Sequence, residues 1–558
     1  MNFELLMIRV RVWLKIKPFV LLVGGLWLLS GTLACAHDYY VDARVGSDAA
    51  AGTSPQAAWR SLSRASRLRL EPGDRLLLKR GDRFPGMLVL TCKGSAGHPV
   101  VIGAYGEGAE RAVIDAAGMR AGIRLEDVSH VTVQGLEITG DGAKGPRGAG
   151  APHTSGVLIE NTGAGSSSEI RLIDLHIHDI FATKELPDEG ARRLSNQGIG
   201  IEILNSNHGG TLGGILIAHC AIERTGRTGI SLGGGNFRVP ASYVHDVAIV
   251  DNELTDIGGP GINPRVCRNV LVRGNTVDRS GSSVDPRMHG RGSGIWPWHC
   301  DVVLIEYNRF MNARGPGDSC GMHIDFGCRD VVAQYNLSMN NEGGFVEILG
   351  DNDDCAYRYN VSVNDGSRVK GRNGAFQEGK ILWFSGYGGR YQPKKGPYHC
   401  YIYNNTIYVG PGGRSCFSVG STARGVVIAN NLFVLLGKTL TVRGDQERRL
   451  GIVVSRIPDS IVTHNLYVNR HVLPSDWPLQ DEAPVYGDPR FARPGGADIR
   501  DYIPGDGALI HGRGIVVQPV MDDHGPLAAH LTVTHDILGN PVTGVPDLGA
   551  IQLPTSKP

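Results

Sequence analysis

Between Gly261 and Gly366 one pattern recurs four times: GINPRVCRNVLVRGNTV, GSGIWPWHCDVVLIEYNRFM, CGMHIDFGCRDVVAQYNLSM and GFVEILGDNDDCAYRYNVSV. In each unit a glycine opens a short alternating strand, a turn follows, and a second alternating strand ends in Asn, one residue, then an apolar residue. Repetition at a period of roughly 20–30 residues marks a solenoid, whose units bury their apolar faces only by stacking on neighbours. Periodicity of two inside each unit makes the elements strands, so the chain is expected to be an all-β solenoid.

The asparagine sets the register. It recurs as Asn252, Asn275, Asn308, Asn336, Asn360, Asn405, Asn431 and Asn465, and Leu136, Leu175 and Cys220 fill the same slot in earlier units. Amides repeated at one turn position can hydrogen-bond from coil to coil across the roughly 4.8 Å strand spacing. Such a ladder satisfies polar groups whose burial is otherwise costly. Eight residues before three of these asparagines stand Cys267, Cys300 and Cys328, which predicts an inward column of thiols. A slip of one residue would turn either column outward, so the two together fix the repeat.

A chain of 558 residues exceeds an ordinary single core, but a solenoid grows by adding units. The boundaries read as a signal peptide over 1–36, an N-terminal cap and first coils over 37–118, a β-helix over 119–475, and last coils with a closing tail over 476–558. A net charge of +1 gives no support for nucleic-acid or membrane-surface binding. Arg9, Arg11, Lys15 and Lys17 precede an apolar run from Phe19 to Leu33 that ends in Ala34-Cys35-Ala36, an A-x-A cleavage site. The run is short for a membrane span. The expected product is a secreted or periplasmic protein that begins after cleavage near Ala36. Lipid anchoring at Cys35 is disfavoured, because Thr32-Leu33-Ala34 departs from the Leu-small-small triplet usual before such a cysteine. Nine cysteines then remain, an odd number that leaves at least one free thiol. No C-x-x-C pair assigns them to zinc.

Three further stretches carry a resemblance. They are YYVD-x-x-x-GSD-x-x-x-GTSP-x-x-AW from Tyr39, PGD-x-LLL-x-RGD-x-F from Pro72, and GHPVVIGAYGEG from Gly97; the tail DILGNPVTGVPDLGAIQ from Asp536 closes the set. The chain resembles secreted right-handed parallel β-helix proteins of the pectate-lyase-like superfamily. That resemblance implies the right-handed parallel β-helix fold and a carbohydrate setting; it does not fix the reaction. A short helix expected at about 57–68 would cap the open N-terminal core. Insertions at about 141–155, 182–197, 236–245, 282–292 and 385–398 would wall a cleft on one face.

Alternation places the chemistry. With Met322 and Ile324 inward, His323 and Asp325 point out; with Val346 and Ile348 inward, Glu347 does. The same rule exposes Trp296, Trp298, Asn263 and Arg265, with His299 and the acidic turn of Asp351, Asp353 and Asp354 beside them. GMHIDFGC has one more residue between its Gly and Cys than GIWPWHC, so a bulge would re-aim His323 or Asp325.

Glycoside cleavage needs one carboxylic acid to protonate the leaving oxygen and a second carboxylate to attack or to activate water. Asp325 and Glu347 on adjacent coils, roughly 5 Å apart, would supply that pair. Arg265, Trp296, Trp298, His299 and His323 would bind the sugar, the indoles by stacking on its C–H faces. The leading reading is a glycoside hydrolase acting on a polysaccharide or oligosaccharide, requiring no cofactor and working as a monomer with no nucleic-acid partner. The alternative is a polysaccharide lyase or uronate epimerase. In that case Arg265, Lys370, Arg372 or Lys380 would matter, and Asp351, Asp353 and Asp354 would hold Ca²⁺. A non-catalytic carbohydrate-binding solenoid is the second alternative; confinement of the richest patch to about three coils counts against it.

Overall fold

A computed structural model of the chain describes residues 36–141, 153–182, 197–206, 209–442 and 457–554. The expected signal peptide up to Cys35 lies outside them, as do parts of the insertions near 141–155 and 182–197. The strands wind into a coil with three faces, every ladder parallel. One face holds 14 strands, from Asp38–Val41 to Ile461–Thr463, and a second holds 14, from Arg83–Pro85 to Val485–Tyr486. The third is split into six strands ending at Ile262–Arg265 and four beginning at Gly344–Ile348.

Side chains from all three faces meet in one continuous apolar core, and polar residues alternate outward. Cys267, Cys300 and Cys328 lie in that core as expected, with the Cys300 amide donating to Cys328 Sγ at 3.5 Å. None of the nine cysteines among the described residues forms a disulfide, and all are buried. The glycine that opens the units serves the corner between the third and second faces. A Cβ on Gly261 would lie 2.4 Å from Val277 Cγ1, and one on Gly294 would lie 2.5 Å from Phe310 Cδ1.

The asparagine ladder is present throughout. Side-chain amides donate to the next coil's amide oxygen from Asn252 to Asn275 (2.9 Å), Asn275 to Asn308 (2.9 Å), Asn308 to Asn336 (3.0 Å) and Asn336 to Asn360 (3.0 Å). It continues through Asn405 and Asn431 to Asn465. Each Oδ1 also accepts the backbone N–H of the preceding asparagine, and Cys220 N–H opens the series on Asn252. Asp481 closes it, accepting from Asn465 Nδ2 at 2.8 Å. The residue before each asparagine (Asp251, Gly274, Tyr307, Tyr335, Tyr359, Asn404, Asn430, His464) has positive φ, which makes the corner. For the non-glycine residues that conformation costs about 1 kcal/mol each, which the ladder's bonds offset.

The N-terminal helix is shorter than expected, running only from Leu62 to Ala65 after a 3₁₀ turn at Pro55–Ala57. Asp48 accepts the amides of Arg60 and Ser61, holding them extended, and the Ser61 side chain then caps the helix by accepting Arg64 N–H. Leu62 and Ala65 still plug the core. At the other end the tail returns along the outside of the first face. Tyr335 donates to the His535 carbonyl at 2.8 Å and Arg358 to that of His530 at 2.6 Å, over a second apolar cluster. Among the described residues no helix is long and apolar enough to cross a membrane.

Asn336→Ala removes three donated and two accepted bonds from a fully buried site. The expected cost is about 2–4 kcal/mol in urea-induced unfolding. A loss below roughly 0.5 kcal/mol would show that the ladder is ornamental.

Candidate active site

The split in the third face is where the candidate residues lie. Between its two blocks the face continues only as isolated bridges, Ile262 to Ile295, Arg265 to Trp298, Ile295 to Met322, Cys320 to Gly344 and Ile324 to Ile348. Pro264 and Pro297 explain the lapse, since neither can donate to a ladder. Their carbonyls still accept, from Trp298 and Asp325 at 3.0 Å each, so the register holds. Trp296, His323, Glu347 and Trp383 therefore follow one another on the outside of successive coils, with Arg265, Trp298 and Asp325 forming the neighbouring column.

A cavity of about 450 Å³ opens here. Its walls include Asn263, Arg265, Trp296, Trp298 and Asp325 from these columns, and Arg227, His289, Arg291 and Asp318 from the turns beside them. A second hollow of about 260 Å³ shares Arg265 and Trp298 with it and extends towards Glu160 and Asn205. The cleft thus runs along the solenoid axis.

Asp325 is the central group. Trp296 Nε1 donates to its Oδ2 at 2.5 Å and Phe326 N–H to its Oδ1 at 2.9 Å. Burial nevertheless outweighs these donors and the nearby His323, and pushes the carboxyl up to about 6. Asp318 brings the other carboxylate of the cavity, with Oδ2 2.7 Å from Arg291 Nη2. Gln377 Oε1 accepts its N–H, and Arg368 donates to its carbonyl. Both Asp318 and Ser319 have positive φ, which swings the carboxylate out of the strand path.

His323, Glu347 and His299 stand behind the wall rather than in it. His323 is 1% exposed and stacks on Trp296 with centroids 5.0 Å apart and planes at 11°. Its Nε2 lies 4.0 Å from Asp325 and 3.4 Å from Glu347. Glu347 does point away from the core, as alternation requires, but it is 1% exposed and takes Cys320 Sγ–H at 2.9 Å. Asp318 lies against it, with a carboxylate oxygen within 4.8 Å of one of its own, a tertiary effect that alternation does not encode. His299 stacks on Phe237 at 4.0 Å and meets Trp298 and Phe326 edge-on, with burial lowering its pKa.

The acidic turn does not converge. Asp351 pairs with Lys395 at 2.7 Å and Arg329 at 3.3 Å, and Asp353 with His399 at 2.7 Å. Asp354 is buried, accepts Leu527 N–H, and is raised by burial and by Asp330 beside it. Three carboxylates committed to three separate partners do not fit calcium, which gathers six to eight oxygens about one point. The expectation of a metal there is corrected on that ground.

Asp318 and Arg291 escaped sequence reasoning because both lie in turns outside the strand alternation. The one local signal was the Gly-Pro-Gly-Asp-Ser run at 315–319, where Asp tolerates the left-handed conformation.

Comparison with known proteins agrees with this architecture. Residues 121–365 match the family model described as "Right handed beta helix region". The coil is right-handed. A lacto-N-biosidase from Bifidobacterium longum subsp. longum is 25% identical across 93% of this chain, which spans 36% of that protein's length. The crystal structure of a GH136 lacto-N-biosidase from Eubacterium ramulus is also 25% identical, covering 73% of this chain and 67% of its own, with a TM-score of 0.50. A PL6 family alginate lyase, AlyGC, shares the fold at 14% identity and the same TM-score, covering 87% of this chain and 59% of its own.

Because the folded pKa of Asp325 lies above the unfolded value near 3.9, ionisation is disfavoured in the folded state. Its contribution to stability is complete below about pH 4 and falls as pH rises towards 6. The stability of Asp325→Asn relative to wild type should therefore improve by on the order of 3 kcal/mol between pH 4 and pH 7, on top of a pH-independent loss from the one N–H donor that the amide cannot accept. Parallel urea midpoints across that range would contradict the placement of a strained carboxyl here.

Proposed function

We propose that this chain is a glycoside hydrolase acting on an oligosaccharide, with Asp325 and Asp318 as its two carboxylates. The observation that carries the reading is that both face one cavity walled by Trp296 and Trp298. The lacto-N-biosidase relatives, and the continuation of the cleft into the second hollow, support it.

Asp325 has the environment of a general acid, since burial keeps a proton on it into the range where enzymes work. It would protonate the glycosidic oxygen as the bond breaks. Asp318, held by Arg291, would act on the opposite side, attacking the anomeric carbon or activating water. The indoles would hold the ring through its apolar C–H surface, while Asn263 and Arg265 address hydroxyls. Glu347 and His323 take a positioning role, fixing Trp296 and through it the carboxyl of Asp325.

Asp318→Asn and Asp325→Asn should each lower kcat by about a thousandfold or more, measured as reducing ends released from a glycan panel. Glu347→Gln should retain at least roughly a tenth of the activity. Near-wild-type turnover in either Asp variant would remove that residue from the mechanism. Release of an ultraviolet-absorbing unsaturated uronate would replace hydrolysis with elimination.

The pH profile tests the assignment of roles. With Asp325 as the acid, kcat/KM should fall as pH rises through about 6. A rise over the same interval would make Asp325 the base or nucleophile instead.

A further inference from the structure

On the second face, away from the cleft, three neighbouring strands carry a compact group of imidazoles and carboxylates. Leu136–Asp141, His176–Phe181 and Ala221–Thr225 pair in parallel, with His176 opposite Glu137 and His178 opposite Glu223. Ile138, Ile177 and Ile222 point into the core, so Glu137, His176, His178 and Glu223 share the outer surface. Two histidines at i and i+2 of a strand form a two-toothed chelate with no change of backbone.

The atoms are already close. His178 Nε2 lies 3.2 Å from Glu137 Oε1, His176 Nδ1 lies 3.8 Å from Glu137 Oε2, and the two rings are 4.6 Å apart at their centroids. One ligand atom from each of Glu137, His176 and His178 falls within 4.8 Å of the others. A separate contact points to a ligand at the same spot. Asp179 Oδ2 holds His178 Nδ1 at 2.8 Å and is itself paired with Arg224, which leaves Nε2 turned towards Glu137. A carboxylate fixing the far nitrogen of an imidazole is the arrangement that orients histidine on a metal. Among the described residues the ion pairs of Glu137 and Glu223 run only to these histidines, so no Lys or Arg neutralises them.

We propose that Glu137, His176 and His178 bind a divalent transition-metal ion of the zinc class, with Glu223 holding the far nitrogen of His176. Imidazole with carboxylate suits that class rather than calcium or magnesium. The ion would clip consecutive coils together and take no part in the chemistry of the cleft.

The test titrates the full chain, freed of metal by dialysis against chelator, with ZnCl2 by calorimetry and with CoCl2 by visible absorption. The expected result is one Zn²⁺ per chain at micromolar affinity and a Co²⁺ d–d band. His178→Gln should weaken binding at least about tenfold, and the double variant His176→Gln with His178→Gln should abolish both signals. Far-UV circular dichroism of each variant confirms that the coil is retained. Absence of zinc binding in the wild type, or binding unchanged in the double variant, would overturn the proposal.

Discussion

Everything in this molecule depends on coils stacked in parallel at one strand spacing. No unit has a core of its own, because each apolar row is closed only by the row above and below. The asparagine ladder makes that stacking specific. An amide at the corner uses its N–H₂ to satisfy carbonyls of its own and the preceding coil and the amide oxygen of the next, so a coil out of register would leave several buried groups unpaired at once. The left-handed residue before each asparagine turns the chain so that this can happen.

The same regularity explains how a site arises. A perfect solenoid offers three uniform faces, and chemistry needs a departure from uniformity. Pro264 and Pro297 interrupt the third face without breaking its register, and in that interval the tryptophans and Asp325 project from a backbone held by its neighbours. Turns carrying Arg291 and Asp318 then close over the gap. The rigid ladder on one corner and the irregular wall on another are complementary, since the former holds the positions that the latter needs.

Much of the fold was legible because it is written as repetition. The asparagine slot and the thiol column each specify register, and the structure has both. Alternation likewise placed Arg265, Trp296, Trp298 and Asp325 on one cleft. It went astray where a side chain's surroundings come from distant segments. Glu347 points outward yet is buried beside Asp318 and His323, and Asp318 itself lies where no period applies. The acidic turn looked like a cation site only while the partners Lys395, Arg329 and His399 were unplaced. Strand periodicity reports the direction of a side chain and is silent about what lies in front of it.

The most direct measurement is a crystal structure of Asp325→Asn with an uncleaved oligosaccharide. The expected result is a sugar ring against Trp296 or Trp298, with a glycosidic oxygen within about 3 Å of the side chain at position 325 and the Asp318 carboxylate across the anomeric carbon. A glycan lodged on another face, or one whose scissile bond lies out of reach of both carboxylates, would contradict it.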